Sequence, residues 1–316
     1  MSDKIHVSSS PHFNLKCNTT MIMGTVLFAL LPEIIMGIVL FHWAALIRIL
    51  VSVASCVCFE FLFQKITKQK IVISNLSACV TGVMMALVCP PTAPVWMFVV
   101  GAAVAMIVAK GLFGGIGSNV FNPALTGRAF MFLSFPAAMG ASWMAPKTVA
   151  AVDAVSSATT LSAIKAGTFV IEDGTLWQYF IGNRAGCIGE TSTMLILISF
   201  AFLALAHIID WRAPVAMVGT VAICSLIAGE NVAMSLMTGG LMFGATFMVT
   251  DYATAPLTKK GRLVFGFGCG LITFLIRKFG GYPEGVMFSI LIMNSVAPFL
   301  NNLTARKYGY AKKEAK

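Results

Sequence analysis

The sequence predicts an all-α polytopic membrane protein with about ten transmembrane helices in two inverted five-helix repeats. Apolar residues make up 58% of the 316 residues and charged residues only 11%, whereas a soluble domain is about 25% charged. Apolar runs recur along the chain, and two stretches share a similar order of residues. So little charge cannot cover a globular surface, which excludes a soluble enzyme, a disordered scaffold and a nucleic-acid-binding protein.

Ten apolar segments are candidate spans, because about 20 mostly apolar residues are needed to cross the hydrocarbon core. In the first half they are 22–42, 44–64, 75–90, 95–114 and 121–144. In the second half they are 191–209, 213–229, 232–250, 262–276 and 284–300. The segment 75–90 is short and contains Ser77 and Thr81, which predicts a partly broken or re-entrant helix that other helices shield from lipid.

The distribution of Lys and Arg predicts the orientation, since basic residues concentrate on the cytoplasmic side. Of the 22 basic residues, Arg48 falls within a span and 16 fall on the side of the N-terminus. The outer side receives only Lys147, Lys165, Arg184, Arg277 and Lys278. This bias predicts a multi-pass membrane protein with both termini in the cytoplasm.

The predicted organisation has five parts. A cytoplasmic N-terminal segment (1–21) precedes the first five-helix repeat (22–144), and an outward-facing loop (145–190) joins it to the second repeat (191–302). A basic cytoplasmic tail (303–316) ends the chain.

The repeat rests on two matched runs. Each has a Thr-Gly pair, then a Thr-Ala-Pro triplet and, after an apolar span, a Gly-Gly pair. They are Thr81-Gly82, Thr92-Ala93-Pro94 and Gly114-Gly115 in one half, and Thr238-Gly239, Thr254-Ala255-Pro256 and Gly280-Gly281 in the other. An odd number of spans per repeat forces the copies into opposite orientations. The alternative is chance recurrence of small residues that pack membrane helices.

The loop 145–190 is the only long polar interval between spans. It contains the run Asp153-Ala154-Val155-Ser156-Ser157-Ala158-Thr159-Thr160. Composition alone predicts that this run is an ordinary polar loop between two spans.

The same run resembles the flavinylation motif Asp-x-x-Ser/Thr-Gly-Ala-Thr, whose last threonine receives FMN through a phosphoester bond. The motif occurs in a family of flavin-carrying membrane proteins that includes the D-type subunit of the Rnf electron-transport complex and the B-type subunit of the sodium-pumping NADH:quinone reductase. The resemblance extends over nearly the whole chain, and the length is similar to that of the Rnf member. It includes the runs that contain Asn119 and Asn122, Gly189 and Glu190, and Gly281 to Gly285.

The resemblance implies that Thr159 carries covalent FMN and that Asp153, Ser156, Ser157 and Ala158 form the motif around it. Ser157 stands where the motif has Gly, and a Ser loses the access of Gly to positive φ. Thr160 is the alternative acceptor. Trp143, Trp177, Tyr179 and Phe180 are near in sequence and are candidates to stack on the flavin or to anchor the chain at the membrane interface.

The resemblance also implies a role in the bacterial inner membrane, as one component of a redox-driven ion translocase of the Rnf type, a ferredoxin:NAD⁺ oxidoreductase coupled to Na⁺ or H⁺ transport. The chain would have no complete active site of its own, and its partners would be the other integral and peripheral Rnf subunits, a flavin transferase and the lipid membrane, with no nucleic acid. Non-covalent riboflavin would bind near the glycine-rich segment 111–119. The alternatives are a non-redox inverted-repeat transporter or channel and the quinone-reducing sodium-pump homologue.

Metal-based electron transfer has no sequence support. The eight cysteines form no C-x-x-C pair, which argues against an iron–sulfur cluster. We therefore predict no metal site, and an organic cofactor as the electron carrier.

Two carboxylates fall within predicted spans. Glu33 follows Pro32 in the first span, and a carboxyl at that depth faces a partner or an aqueous cavity. It is therefore a candidate for an ion path, or for a protonated structural side chain. Glu60 lies near the end of the second span, where we expect it to pair with Lys65 or Lys68 or to extend to the surface.

Overall fold

The computed structural model describes residues 18–140, 160–165, 174–282 and 284–305, and this part of the chain forms helices and no β-strand. The helices of the first half are α1 (Thr19–Ile66), α2 (Ser77–Leu87), α3 (Val95–Ala103, continued by a π-helical segment Val104–Gly111), α4 (Pro123–Ser134) and α5 (Pro136–Gly140). Two short helices follow, α6 (Thr160–Lys165) and α7 (Thr175–Ile181). The remainder are α8 (Thr193–Leu205), α9 (Arg212–Ile227), α10 (Val232–Met237), α11 (Leu241–Phe243, continued by a π-helical segment Gly244–Met248), α12 (Lys259–Phe279) and α13 (Val286–Thr304).

Helix α1 is 48 residues long and joins the first two predicted spans. Its backbone leaves the helical conformation at one residue, His42, where φ is 51° and ψ is −134°. We call residues 19–41 the first arm and residues 43–66 the second arm. In the described chain, α1 and α13 are the two helices long and apolar enough to cross a membrane.

The two arms of α1 run antiparallel. Thr20, at the start of the first arm, donates to the Ser74 carbonyl (3.4 Å), which lies just before α2. Glu60, near the end of the second arm, reaches the first residue of α2 through Lys110, whose Nζ is 2.6 Å from both Glu60 Oε1 and Ser77 Oγ. Because the start of one arm and the end of the other meet the same end of α2, the chain reverses direction at His42.

Several predicted spans contain helices much shorter than 20 residues. Helix α2 has 11 residues and α8 has 13, and the predicted span 232–250 is divided between α10 and α11. Helix α2 is buried along nearly its whole length, which agrees with the predicted shielding of the segment 75–90. The described part of the chain therefore does not form ten uninterrupted helices of membrane-spanning length.

The bundle has two ends, which we name by their connecting segments. The N-terminal face comprises 67–76, 206–211 and 249–258, and both Asn18 and Ala305 adjoin it because Thr304 lies against Thr258. The opposite face comprises 88–94, 228–231 and 280–285. Its ion pair Lys278–Glu230 (2.6 Å) joins the end of α12 to the turn after α9.

The core is one apolar cluster in which small residues allow backbones to approach. A Cβ atom at Gly270 of α12 would lie 2.6 Å from the Met217 carbonyl of α9, and one at Gly82 of α2 would lie 2.7 Å from Val53 Cα of the second arm. These contacts bring the helices close enough to position polar groups between them.

Candidate functional site

The break between α10 and α11 exposes helix ends inside the bundle, and charged side chains satisfy them. Arg277 of α12 donates to the carbonyls of Ser235 (2.7 Å) and Thr238 (3.1 Å) at the end of α10. The amide of Gly240, which precedes α11, donates to Glu284 Oε1 (2.5 Å). Helix ends leave backbone groups without intrahelical partners, so these two side chains allow the helix to be interrupted here.

Arg184 ties a second irregular segment to the same break. Its Nε donates to the Thr191 carbonyl (3.0 Å), and its terminal nitrogens donate to the carbonyls of Glu190 and Met237. Arg184 also stacks over the Tyr179 ring at 5.5 Å. One guanidinium therefore joins the segment before α8 to the end of α10.

Two glycines make room for these groups. Gly239 has φ of +66°, and a Cβ atom there would lie 2.8 Å from Glu284 Oε1 and 2.9 Å from Arg277 Nη2. A Cβ atom at Gly240 would collide with the carboxylate of Glu190. Glycine is required at this break because a side chain would displace the charges.

We call Arg128, Arg184, Arg277, Glu190 and Glu284 the polar cluster. Glu284 lies 3.9 Å from Arg128 Nη2 and 3.8 Å from Arg277 Nη2. The Nε atoms of Arg128 and Arg277 are buried and have no hydrogen-bond partner among the described residues. Three guanidiniums against two carboxylates leave one excess positive charge when all five are ionised.

Sequence reasoning missed this cluster. It placed Arg184 and Arg277 on the outer side and Arg128 on the side of the N-terminus, but Arg128 and Arg184 are buried and the Arg277 side chain is 10% exposed. The available signal was that Glu190 and Glu284 belong to the glycine-containing runs that carry the family resemblance. Charged residues within a membrane bundle are costly and mark functional sites.

Helix α6 immediately follows the predicted flavin motif and contacts the cluster. The Leu161 side chain lies 3.2 Å from the position that a Cβ atom would take at Gly239. Lys165 donates to the carbonyls of Gly280 and Tyr282 (3.2 Å to the latter). The segment after the motif is therefore held against the opposite face.

The predicted motif residues Asp153, Ser156, Ser157, Ala158 and Thr159 lie outside the described residues, as does Trp143. Their roles stay predictions.

Three of the predicted aromatic residues are described. Trp177 is exposed and stacks with Phe180, their ring centroids 5.8 Å apart. Tyr179 is buried beneath Arg184. Of the three, Trp177 is the one with a largely exposed ring surface, so it fits best a stacking or interfacial role.

Glu33 lies in the first arm of α1 and is 2% exposed. Neither of its carboxyl oxygens has a hydrogen-bond partner in the described chain. The neighbouring Ser199 hydroxyl donates instead to the Ala29 carbonyl (2.8 Å). A buried carboxylate without a partner is strongly unfavourable, so Glu33 requires either a proton or a cation.

A cavity of about 100 Å³ lies near the N-terminal face, where the chain after α3 is irregular. Gly114, Gly115 and Gly117 have φ between +85° and +105°, a left-handed conformation that favours glycine. Polar residues that line the cavity include Lys110, Asn119, Asn122, Thr250 and Asp251. Burial raises the pKa of Asp251, although the Ala253 amide and the Thr254 hydroxyl donate to it.

The expected pairing of Glu60 with Lys65 or Lys68 is wrong. Glu60 forms a buried ion pair with Lys110, 50 positions away, and Ser77 shares the ammonium. Glu60 pairs with Lys110 because both side chains are buried, and a buried carboxylate needs a cation that is also inside the bundle.

A family model described as the NQR2, RnfD, RnfE family matches residues 6–309. The chain belongs to that family. One relative, from Acetobacterium woodii, is named as the D-type subunit of a Na(+)-translocating ferredoxin:NAD(+) oxidoreductase complex and is 42% identical over 315 residues, 98% of each chain.

Further relatives agree on the assignment. A Clostridium ljungdahlii protein, named as the D-type subunit of a proton-translocating ferredoxin:NAD(+) oxidoreductase complex, is 38% identical over 94% of each chain. A Citrobacter koseri protein, named as the D-type subunit of an ion-translocating oxidoreductase complex, is 34% identical over 96% of this chain and 99% of its own. The recognised resemblance to the D-type subunit of Rnf complexes is therefore confirmed at the level of the family.

Proposed function

We propose that this chain is the D-type membrane subunit of an Rnf complex, a ferredoxin:NAD⁺ oxidoreductase that moves Na⁺ or H⁺ across the membrane. The full-length similarity to relatives named as that component carries the proposal. The chain is one component of the redox enzyme. Other integral and peripheral subunits supply the ferredoxin and NAD⁺ sites, and a flavin transferase modifies the loop.

We propose that FMN is esterified to Thr159. The support is the chemistry beside α6, where the cluster around Gly239 has an excess positive charge and buried N–H groups on Arg128 and Arg277 without partners in the described chain. Guanidinium groups bind phosphate through charge-assisted hydrogen bonds, so this donor set fits an anionic cofactor. FMN, when bound, supplies the redox chemistry, and the arginines stabilise negative charge near it.

For the architecture we propose ten membrane crossings in two inverted repeats, with both termini cytoplasmic. The support is that Asn18 and Ala305 adjoin the same face and that α1 supplies two antiparallel arms. The opposite face, which holds α6, would then lie outside.

Two further roles complete the proposal. Non-covalent riboflavin is proposed to bind at the N-terminal face beside the amides of Asn119 and Asn122 and the apolar side chains of Ile22 and Met23, where the cavity of about 100 Å³ would have to widen to admit it. Glu33 is proposed to lie on an ion path, because its buried carboxyl needs a proton or a cation.

The deciding experiment detects flavin on the denatured chain. We would purify the complex after co-expression with the transferase, and measure in-gel fluorescence and intact mass for the wild type, Thr159→Ala and the matched control Thr160→Ala. We expect fluorescence and one FMN mass in the wild type and the control, and neither in Thr159→Ala. A complex that transports ions while this chain is unmodified would favour the non-redox transporter. Partner subunits that reduce quinone would favour the sodium-pump homologue.

A further inference from the structure

A second cavity, of about 640 Å³, opens at the N-terminal face where α8 ends and α9 and α12 begin. It is separate from the polar cluster and from Glu33. It adjoins the smaller cavity proposed for riboflavin and shares Ile208, Ile209 and Thr250 with it, but the proposed function assigns the larger cavity no role. Its polar and aromatic lining includes His207, Asp210, Trp211, Arg212, Lys259 and Arg262. Three permanent cations and one carboxylate give this cavity two excess positive charges.

Asp210 fixes the two guanidiniums at the cavity wall. Its Oδ2 accepts from Arg212 Nη1 (2.8 Å) and from Arg262 Nη1 (2.7 Å), and Arg262 Nε donates to the Pro256 carbonyl (2.9 Å). Burial alone would raise the pKa of Asp210, but the hydrogen bonds from Arg212 and Arg262 outweigh it and hold the pKa below its usual value. The carboxylate is therefore ionised and orders both arginines without neutralising them.

Each arginine retains N–H groups for a ligand. In the part of the chain that the structure describes, the Arg212 guanidinium donates through Nη1 only, and it lies over the Trp211 ring at 5.2 Å. Arg262 donates through Nε and Nη1. Lys259 is exposed, and its side chain forms no hydrogen bond or ion pair within the described chain. The remaining donors converge on one cavity, which suits an anion with several oxygens.

The surroundings of the cavity indicate the kind of anion. Trp211 and Tyr252 are 53% and 46% exposed, and aromatic residues with a polar edge concentrate at the membrane–water interface. Ile208 and Ile209 supply an apolar wall below the charges. A ligand that fits both parts carries a negative group at the surface and hydrocarbon toward the bilayer. Basic pockets between cytoplasmic helix ends bind such lipids.

We infer that this cavity binds the phosphate of an anionic phospholipid headgroup, held by Arg212, Arg262 and Lys259. The inference rests on the membrane placement in the proposed function and is independent of the flavin. Free phosphate shares the headgroup chemistry, and the experiment must separate the two sources.

The test compares two adjacent lysines. Lys259 lines the cavity, whereas Lys260 is exposed and does not, so Lys260→Gln is the matched control for Lys259→Gln. Neither lysine has a contact that folding depends on. We would reconstitute the full-length chain in nanodiscs of phosphatidylglycerol and phosphatidylcholine and measure retained lipid by native mass spectrometry.

We expect the wild type to retain phosphatidylglycerol in preference to phosphatidylcholine. Lys259→Gln should reduce that retention about fivefold, since one basic residue near anionic lipid contributes about 1 kcal/mol, and Lys260→Gln should leave it unchanged. Equal losses in the two variants, or no preference between the lipids, would overturn the inference. Retention of inorganic phosphate without a preference between the lipids would assign the cavity to free phosphate, and this result would also overturn the inference. Flavin fluorescence of the same samples reports separately on the proposed function.

Discussion

Individual charged side chains hold the irregular segments of this protein in place, and Arg277 is the clearest example. It satisfies two carbonyls at the end of α10 and contacts Glu284. Its neighbour Lys278 pairs with Glu230, but both of those side chains are more than one-third exposed. Two adjacent residues on one helix are therefore expected to contribute differently to the free energy of unfolding.

Arg277→Ala should destabilise the protein by about 3–5 kcal/mol, because it removes one of the two arginines that face Glu284 and the donor to two carbonyls at the end of α10. Lys278→Ala is the control and should cost at most about 1 kcal/mol. Unfolding with SDS in mixed micelles measures both. Similar losses for the two variants would contradict the structural role of Arg277.

Glu33 offers a test of ion movement at a single residue. Glu33→Gln should leave the unfolding midpoint and the bound FMN unchanged, because the amide keeps the size of a neutral carboxyl, and should lower ion translocation severalfold. Glu230→Gln, at a partly exposed pair, is the control. Ion uptake in proteoliposomes is the measurement, and undiminished uptake would return Glu33 to a structural role.

Asp210 gives the bundle a dependence on pH. Its pKa is lower in the folded state than the value of about 3.9 expected when unfolded, so its stabilising effect is complete above that value and disappears as the pH falls through the folded pKa. Asp210→Asn should therefore be less stable than the wild type at pH 7, and the difference should shrink below about pH 4. Thermal unfolding in detergent at several pH values checks this, and a difference that grows on acidification would contradict it.

At the scale of elements, apolar length predicted where helices occur but not where they break. Segments 213–229 and 284–300 correspond closely to α9 and α13, since continuous apolar sequence is a local property. The division between α10 and α11 depends on Arg277 and Glu284, about 40 positions away. The partner of Glu60 was missed for the same reason. Lys65 is close to Glu60 in sequence, whereas the actual partner, Lys110, is 50 positions away. Long-range pairings of this kind leave no periodic signal in the sequence.

The crossing of α2 with the second arm of α1 depends on Gly82. Its missing Cβ atom would lie 2.7 Å from Val53 Cα, so Gly82→Ala should destabilise by about 1–3 kcal/mol through overpacking. Gly219 of α9 has open space around it, and Gly219→Ala should instead stabilise by about 0.5–1 kcal/mol. The same SDS titration measures both variants, and shifts of equal sign would refute this account of the crossing.

At the scale of the whole molecule, the proposed topology separates the two faces by the membrane. Gln69 is exposed on the N-terminal face, and Gly281 is exposed with open space on the opposite face. In a background without native cysteines, a membrane-impermeant maleimide added to intact cells should label Gly281→Cys and not Gln69→Cys. Labelling of both, or of Gln69→Cys alone, would overturn the orientation and move the flavin to the cytosol.

Arg184 sets a limit on how the segment before α8 can move relative to α10. Its guanidinium donates to carbonyls of the segment before α8 and to one at the end of α10. Hydrogen bonds to charged groups contribute about 1.5–3 kcal/mol each. A rocking motion that separated these segments would have to release them together, which makes such openings rare. Under the proposed function, any ion movement past these segments would proceed by local rearrangement around a rigid Arg184.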